Sequence, residues 1–196
     1  GKNIEVYDVK LATYRPSAPL VSEELKAIMS NQDPTARMQS LITSKDKQAQ
    51  FLAACFRDLF HYCAYHLATI ADNVRDVDLA IRWGFGWMQG PFETWQLADL
   101  ATMAQYINHE IGKNSTLSSV SLPGWLFEIN DFYTKQGAYS PQSNEYQSRS
   151  QLPVYKRQFF PDKVLQEVAY PKSVLYENEG ICLWSLQDDV AVVSFK

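Results

Sequence analysis

The chain has 196 residues, 46% of them hydrophobic and 13% aromatic, and a formal net charge of −4. That is ample apolar material for a packed core, and no long charged or low-complexity run argues for wholesale disorder. Positive and negative residues are interspersed, so no basic stripe exists to neutralise phosphates and no nucleic-acid partner is expected. No apolar run reaches membrane-spanning length and no secretory signal opens the chain, so the expectation is a cytoplasmic protein with no membrane span.

Residues 1–15 alternate apolar and polar positions (Ile4, Val6, then Leu11 and Tyr14) around Asp8, and read as a small hairpin. Pro16 to Pro19 is a linker. Ser22 caps a short helix through Ser30, and Asp33-Pro34 opens another through Ile42. A long helix follows from about Asp46 to Ala71, about 39 Å if unbroken. Phe51, Leu52, Cys55, Leu59, Tyr62, Cys63, Leu67 and Ile70 recur on it at helical spacing and predict a broad buried face. Cys55 and Cys63 are about 12 Å apart along that helix, too far to bridge, and both are expected to be small buried groups. His66 reads as a surface or core-edge residue. With His61 and His109 it shows no metal-site spacing, among themselves or with Cys55, Cys63 and Cys182, so no metal is expected.

The least generic passage runs from Ala71 to Leu100 and holds three of the five tryptophans. Asp72, Asp76 and Asp78 lead into a helix and read as carboxylates favoured by its positive end; calcium-loop spacing is missing. Gly84-Phe85-Gly86 stops that helix, and Gly90-Pro91-Phe92-Glu93 starts the next. Gly84-x-Gly86-x-x-x-Gly90 comes near a dinucleotide fingerprint, but its third glycine is one place late. A helix also precedes it where a pyrophosphate cradle needs a strand, so no cofactor-binding residue is assigned.

Beyond Glu93 a second helix spans Leu100 to Ile111, followed by a polar loop from Gly112 to Ser121. Leu122-Pro123-Gly124-Trp125 predicts one more helix, with Trp125, Ile129, Phe132 and Tyr133 on one face and Gly137 as its stop. Residues 139–172 read as a connector docking sparsely through Leu152 to Tyr155 and through Phe159-Phe160-Pro161. Three strand-like runs close the chain, at Ser173 to Tyr176, Ile181 to Leu186 and Val190 to Phe195, parted by Glu179-Gly180 and Asp188-Asp189.

The run from Asp76 to Trp95 resembles the C-terminal helical domain of the 3-hydroxyacyl-CoA dehydrogenase family. That family's pattern is Asp-x-(Ala/Met)-hydrophobic-x-x-Gly-x-Gly-x-x-x-Gly-Pro-Phe-Glu, and Asp78 to Glu93 follows it. The tryptophan-rich form is similar to a subgroup of multifunctional fatty-acid β-oxidation proteins, where a dehydrogenase precedes an enoyl-CoA hydratase domain of the crotonase type. The resemblance covers most of the chain. It implies a mainly α fold: a helical domain over 16–138, a hairpin tail of a preceding domain over 1–15, and the connector over 139–172. Residues 173–196 would be the truncated start of a crotonase-like domain, Gly1 an internal cut point and Lys196 a stop in mid-pattern.

The family's catalytic copy of this domain has Gly-Phe-hydrophobic-x-Asn-Arg at the start of its long helix, and the asparagine helps to position substrate and a catalytic histidine. The matching residues here are Gln50 to Cys55, with Ala54 at the asparagine's place and Cys55 at the arginine's. A methyl group neither donates nor accepts a hydrogen bond. The resemblance therefore implies a degenerate second copy with no catalytic residue of its own, which packs on the catalytic copy and helps shape an acyl-CoA groove. The parent would use NAD; this piece would bind no cofactor. Its partners would be the preceding dehydrogenase domains, the following crotonase domain, the parent's acyl-CoA substrate and, alone, another copy of itself. The expected seam or groove residues are Phe51, Ala54, Trp83, Phe85, Trp87, Phe92 and Trp95. The surplus of aromatics also suggests an alternative, a helical binding module with an aromatic pocket for an acyl or other apolar ligand.

Overall fold

Most helices of this chain begin where a side chain can accept the free amides of a first turn. Ser22 accepts from Leu25 N at the head of α1 (Glu23–Ser30), and Asp33 from Thr35 and Ala36 N at α2 (Pro34–Thr43). Asp46 does so for α3 (Lys47–Ile70), through Gln48 and Ala49 N. Asn73 caps α4 (Val74–Phe85), and Asp99 caps α6 (Leu100–Gly112). Between these two lies α5 (Pro91–Leu97), whose cap comes from another helix. The left-handed residue that ends α4 is Gly86, at φ 68°, the second glycine of the Gly84-Phe85-Gly86 stop. The computed structural model describes residues 4–17, 21–156, 158, 162–167, 173–186 and 190–196. The Phe159-Phe160-Pro161 anchor, the Asp188-Asp189 turn, the Gly1 cut point and part of the Pro16 to Pro19 linker lie outside the described residues.

Two units emerge: Gly1–Leu59 with Leu97–Ser119, and Phe60–Gln96 with Val120–Lys196, α3 contributing residues to each. In the first, β1 (Glu5–Asp8) pairs antiparallel with β2 (Thr13–Pro16), as the sequence predicts. Met38, Leu41, Ala49, Ala53, Leu100, Met103, Ala104 and Ile107 are the buried apolar residues of its helices.

The buried line of α3 differs from the expected one. Ala49, Ala53, Phe60, Cys63, Ala64 and Leu67 are buried, whereas Phe51, Tyr62 and Ile70 are exposed. Cys55 is also exposed, against the expectation of a small buried group. The physical reason is size. Alanines make little impression on a reading weighted towards bulky side chains, yet they let another backbone approach closely and so mark the inner face.

The second unit departs furthest from the sequence reading. The helix expected after Leu122 is a single 3₁₀ turn, Gly124–Phe127. The chain then folds into an antiparallel sheet of β3 (Tyr133–Thr134), β4 (Gly137–Ser140) and β5 (Glu145–Gln147). Gly137 stops no helix. It sits in β4 at φ 144°, where a Cβ would overlap the Gln147 carbonyl. Burial decides the outcome. Phe132, Tyr133, Ala138, Tyr139 and Ser140 are all enclosed, and an extended chain alternates its side chains so that both faces can be packed. Where a sparsely docked connector is expected from residue 139, the described chain completes this sheet. Its polar residues bond to helix ends: Ser140 Oγ donates to the Asp72 carbonyl, Gln142 to the Ala68 carbonyl and Asn73 Nδ2 to Gln147 Oε1.

A short helix α7 (Pro153–Lys156) follows. Strands β6 (Ser173–Glu177), β7 (Ile181–Leu186) and β8 (Val190–Phe195) form the expected antiparallel meander, with Ile181 opposite Phe195 and Leu183 opposite Val193.

Gly137→Ala should lower stability by roughly 2–4 kcal/mol, from a positive φ that alanine tolerates poorly plus overlap with strand β5. A shift of only a few tenths in the denaturation free energy would show that β4 has room to relax.

Candidate functional site

Proline at the first position of α5 wastes no amide, but the next two N–H groups still need acceptors. Asp78, on the second turn of α4, supplies them. Its Oδ1 accepts from Phe92 N at 2.8 Å, and Oδ2 from Glu93 N at 2.9 Å and the Tyr133 hydroxyl at 2.6 Å. Gly90 lies against Asp78 so closely that any Cβ would overlap the aspartate's own carbons. Glu93 reaches back to Gly90 N at 2.8 Å and faces the Arg82 guanidinium at 3.4 Å. The motif that carries the family resemblance is therefore, physically, a carboxylate clamp between two helices.

Asp78 is fully buried. Burial pushes its carboxyl up to about 7, against the downward pull of the Tyr133 hydroxyl and the two amides. Burial also raises Glu93 and Asp76 above the usual carboxylate range, holds the Tyr133 phenol well above its own, and pushes the Cys63 thiol up to about 12. The reading of Asp72, Asp76 and Asp78 as equivalent partners of one helix end thus fails at Asp78. It caps the following helix, and its side chain has no access to solvent.

The seven candidate residues divide by environment. Phe92 and Trp95 are core: Trp95 stacks on Phe60 with centroids 5.1 Å apart and meets Phe132 edge-on at 5.3 Å, as Phe92 does at 4.9 Å. Trp83 and Phe85, in the last turn of α4, and Trp87 and Met88, on the turn that follows, are 68, 74, 45 and 91% exposed. Ala54 is half-buried and Phe51 is 71% exposed. These two belong to the first unit and the other five to the second. An open groove of about 470 Å³ runs beside α4, lined by Ile70, Ala71, Asp72, Asp76, Val77, Ala80 and Ile81. None of the candidate aromatics lines it.

The glycines of this passage do not form a dinucleotide cradle. Gly84, Gly86 and Gly90 lie between two helices, and the helix that opens at Pro91 has its amides taken by Asp78. Among the described residues no group of three or more His, Cys, Asp or Glu side chains stands close enough to hold a metal ion, and no helix is long and apolar enough to cross a membrane.

Sequence reasoning missed the clamp and a second buried cluster, in which Glu167 lies between Arg75 and Arg149. The clamp left a signal, since Asp78 is the first residue of the recognised motif. The Arg75–Glu167 pair spans 92 positions and left none.

No protein-family model matches the chain, and no solved structure matches it. It is similar to "Probable 3-hydroxyacyl-CoA dehydrogenase" of Bacillus subtilis (strain 168), at 30% identity over 202 residues covering all of this chain and 24% of that protein. It is also similar to "Putative fatty acid oxidation complex trifunctional enzyme" of Rickettsia felis, at 26% identity over 89 residues, 45% of this chain and 12% of that protein. The chain thus has homologues among proteins named for dehydrogenation of 3-hydroxyacyl-CoA and for fatty-acid oxidation, and it spans about a quarter of the length of the first.

Two outcomes test the site. A carboxyl at about 7 when folded and near 3.8 when unfolded holds its proton more tightly in the folded chain. The stability that this carboxyl contributes should therefore be full below about pH 4 and be lost as pH rises through about 7, at up to about 1.4 kcal/mol per pH unit. Asp78→Asn should flatten much of that slope in urea titrations from pH 4 to 8. It should also cost about 1–3 kcal/mol at pH 7, because an amide nitrogen must face a backbone donor. Trp95→Ala should cost about 3–5 kcal/mol, and Trp87→Ala no more than about 0.5, in the same measurement.

Proposed function

We propose that this chain is the central region of a multifunctional fatty-acid β-oxidation protein and serves there as a non-catalytic helical scaffold. The observation that carries the reading is the alignment of the whole chain with a quarter of a protein named as a 3-hydroxyacyl-CoA dehydrogenase. In this reading the helical region packs on a catalytic copy of the same domain and helps shape the groove for acyl-CoA. Residues 1–15 belong to the tail of a preceding domain, and 173–196 open a crotonase-like domain. The parent oxidises 3-hydroxyacyl-CoA with NAD and hydrates enoyl-CoA in the cytoplasm.

Oxidising a secondary alcohol to a ketone sends a hydride to the nicotinamide and the hydroxyl proton to a base. Both transfers need a polar group to fix the reacting oxygen. Ala54 offers a methyl group at the position where the resemblance calls for asparagine. The fully buried carboxyl of Asp78 already has both oxygens engaged by Phe92 N, Glu93 N and Tyr133. The remaining role is mechanical. Trp83 and Phe85 at the end of α4, with Trp87 and Met88 just after it, present roughly 500 Å² of apolar surface, taking about 200 Å² per large side chain, and a patch of that size is often functional.

Incubation of the chain with NAD and a 3-hydroxyacyl-CoA should give no NADH above background, in the presence or absence of Ala54→Asn. Turnover by the chain alone would overturn the scaffold reading.

A further inference from the structure

Segment Asp162–Glu167 is fastened along α4 at both ends. At one end, Glu167 lies with its carboxylate 1% exposed between the Arg75 guanidinium of the first turn of α4 and Arg149 Nε, the latter at 2.7 Å. At the other end, the Asp162 carboxylate accepts from the Trp83 indole at 2.9 Å and faces Arg82 at 3.6 Å, while Arg82 also donates to the Lys163 carbonyl at 2.9 Å. Arg149 joins the two ends, because its second nitrogen donates to the Asp162 carbonyl. Between them Val164 is fully buried and Leu165 sits at φ 39°, in the left-handed region that bulky side chains avoid. A strained turn of this kind persists only while its surroundings hold it.

We infer that Asp162–Glu167 is a charge-fastened strap that sets how the aromatic C-terminal end of α4 is presented, so that releasing Glu167 at one end frees the Trp83 side chain at the other. Arg75 and Arg82 are seven residues apart, about 10 Å along α4, and the strap spans that interval. Its polar grip is supplemented by the buried Val164. Removing one partner of a buried ion pair leaves an uncompensated charge, so Glu167 is the end whose loss is felt most. Of the four exposed apolar residues at the end of α4 and just after it, Trp83 alone is held by a side-chain hydrogen bond to the strap among the bonds described. Ordering a large side chain before it meets a partner lowers the entropic cost of docking. The strap thereby deepens the scaffold reading by naming what prepares the contact surface, and it rests on that reading only for what the surface meets.

The test uses the chain labelled with 5-fluorotryptophan, whose five ¹⁹F resonances report the tryptophans singly; loss of one line in Trp83→Phe assigns Trp83. Asp162→Asn should move the Trp83 resonance towards its solvent-exposed position. Glu167→Gln should move the same line in the same direction, and should speed tryptic cleavage after Lys163 by roughly tenfold relative to Leu126→Ala, a core variant used as the control for general loosening. Should Glu167→Gln fail to fold, Arg149→Lys takes its place, since it keeps the charge but loses the fork that joins the two ends. An unmoved Trp83 line in whichever of these variants folds, or cleavage no faster than in the control, overturns the strap. Dehydrogenase turnover by the unmodified chain would overturn the scaffold and leave the strap standing, which separates the two.

Discussion

One buried carboxyl organises the second unit. Asp78 satisfies the first free amides of α5 and a tyrosine hydroxyl from β3, and Gly90 lets α5 approach until only a hydrogen atom fits between. Placing a carboxyl away from water is costly, and its weakened acidity reflects that cost. Three hydrogen bonds offset it and fix where α5 begins. Phe92 and Trp95 then follow from the clamp, because the register of α5 is what carries them into the stack with Phe60 and Phe132.

The same clamp explains why the aromatics of this passage serve two ends. Residues after Pro91 lie on a helix whose first turn is held from inside, so they point into the core. Residues 83–88 cover the last turn of α4 and the bend after it, which the clamp leaves outside, and Gly86 makes that bend in the left-handed conformation. A surface of exposed tryptophan, phenylalanine and methionine is expensive to leave in water. The strap at Asp162 to Glu167 addresses this edge through polar contacts and leaves most of the apolar surface open. Chemistry and contact are thus separated. Asp78, Glu93 and Tyr133 are enclosed and engaged with one another's helices and strand, whereas Trp83, Phe85, Trp87 and Met88 face outward.

Local elements were readable because their causes are local. Ser22, Asp33 and Asp46 announce helices within three residues of themselves. Gly90-Pro91 announces another, and the alternation in Val190 to Phe195 announces a strand. The hairpin at Tyr7 and Tyr14 was equally plain. The stretch after Leu122 misled for the opposite reason. Trp125, Ile129, Phe132 and Tyr133 fit a helical spacing, but the burial that decides between helix and strand comes from Phe92, Trp95 and Tyr139, and Tyr139 stacks on Trp125 at 5.3 Å only once the chain has turned back.

The sequence by itself determined where most helices start, the final meander and the motif that links this chain to dehydrogenases of fatty-acid oxidation, since capping, alternation and glycine placement act over a few residues. Only the tertiary structure decided that Asp78 is a clamp, that Phe92 and Trp95 are core while Trp83, Phe85 and Trp87 are surface, and that Glu167 pairs with Arg75. Those outcomes depend on which groups lose their water, and exclusion of water is settled by residues distant in the chain that close over one another.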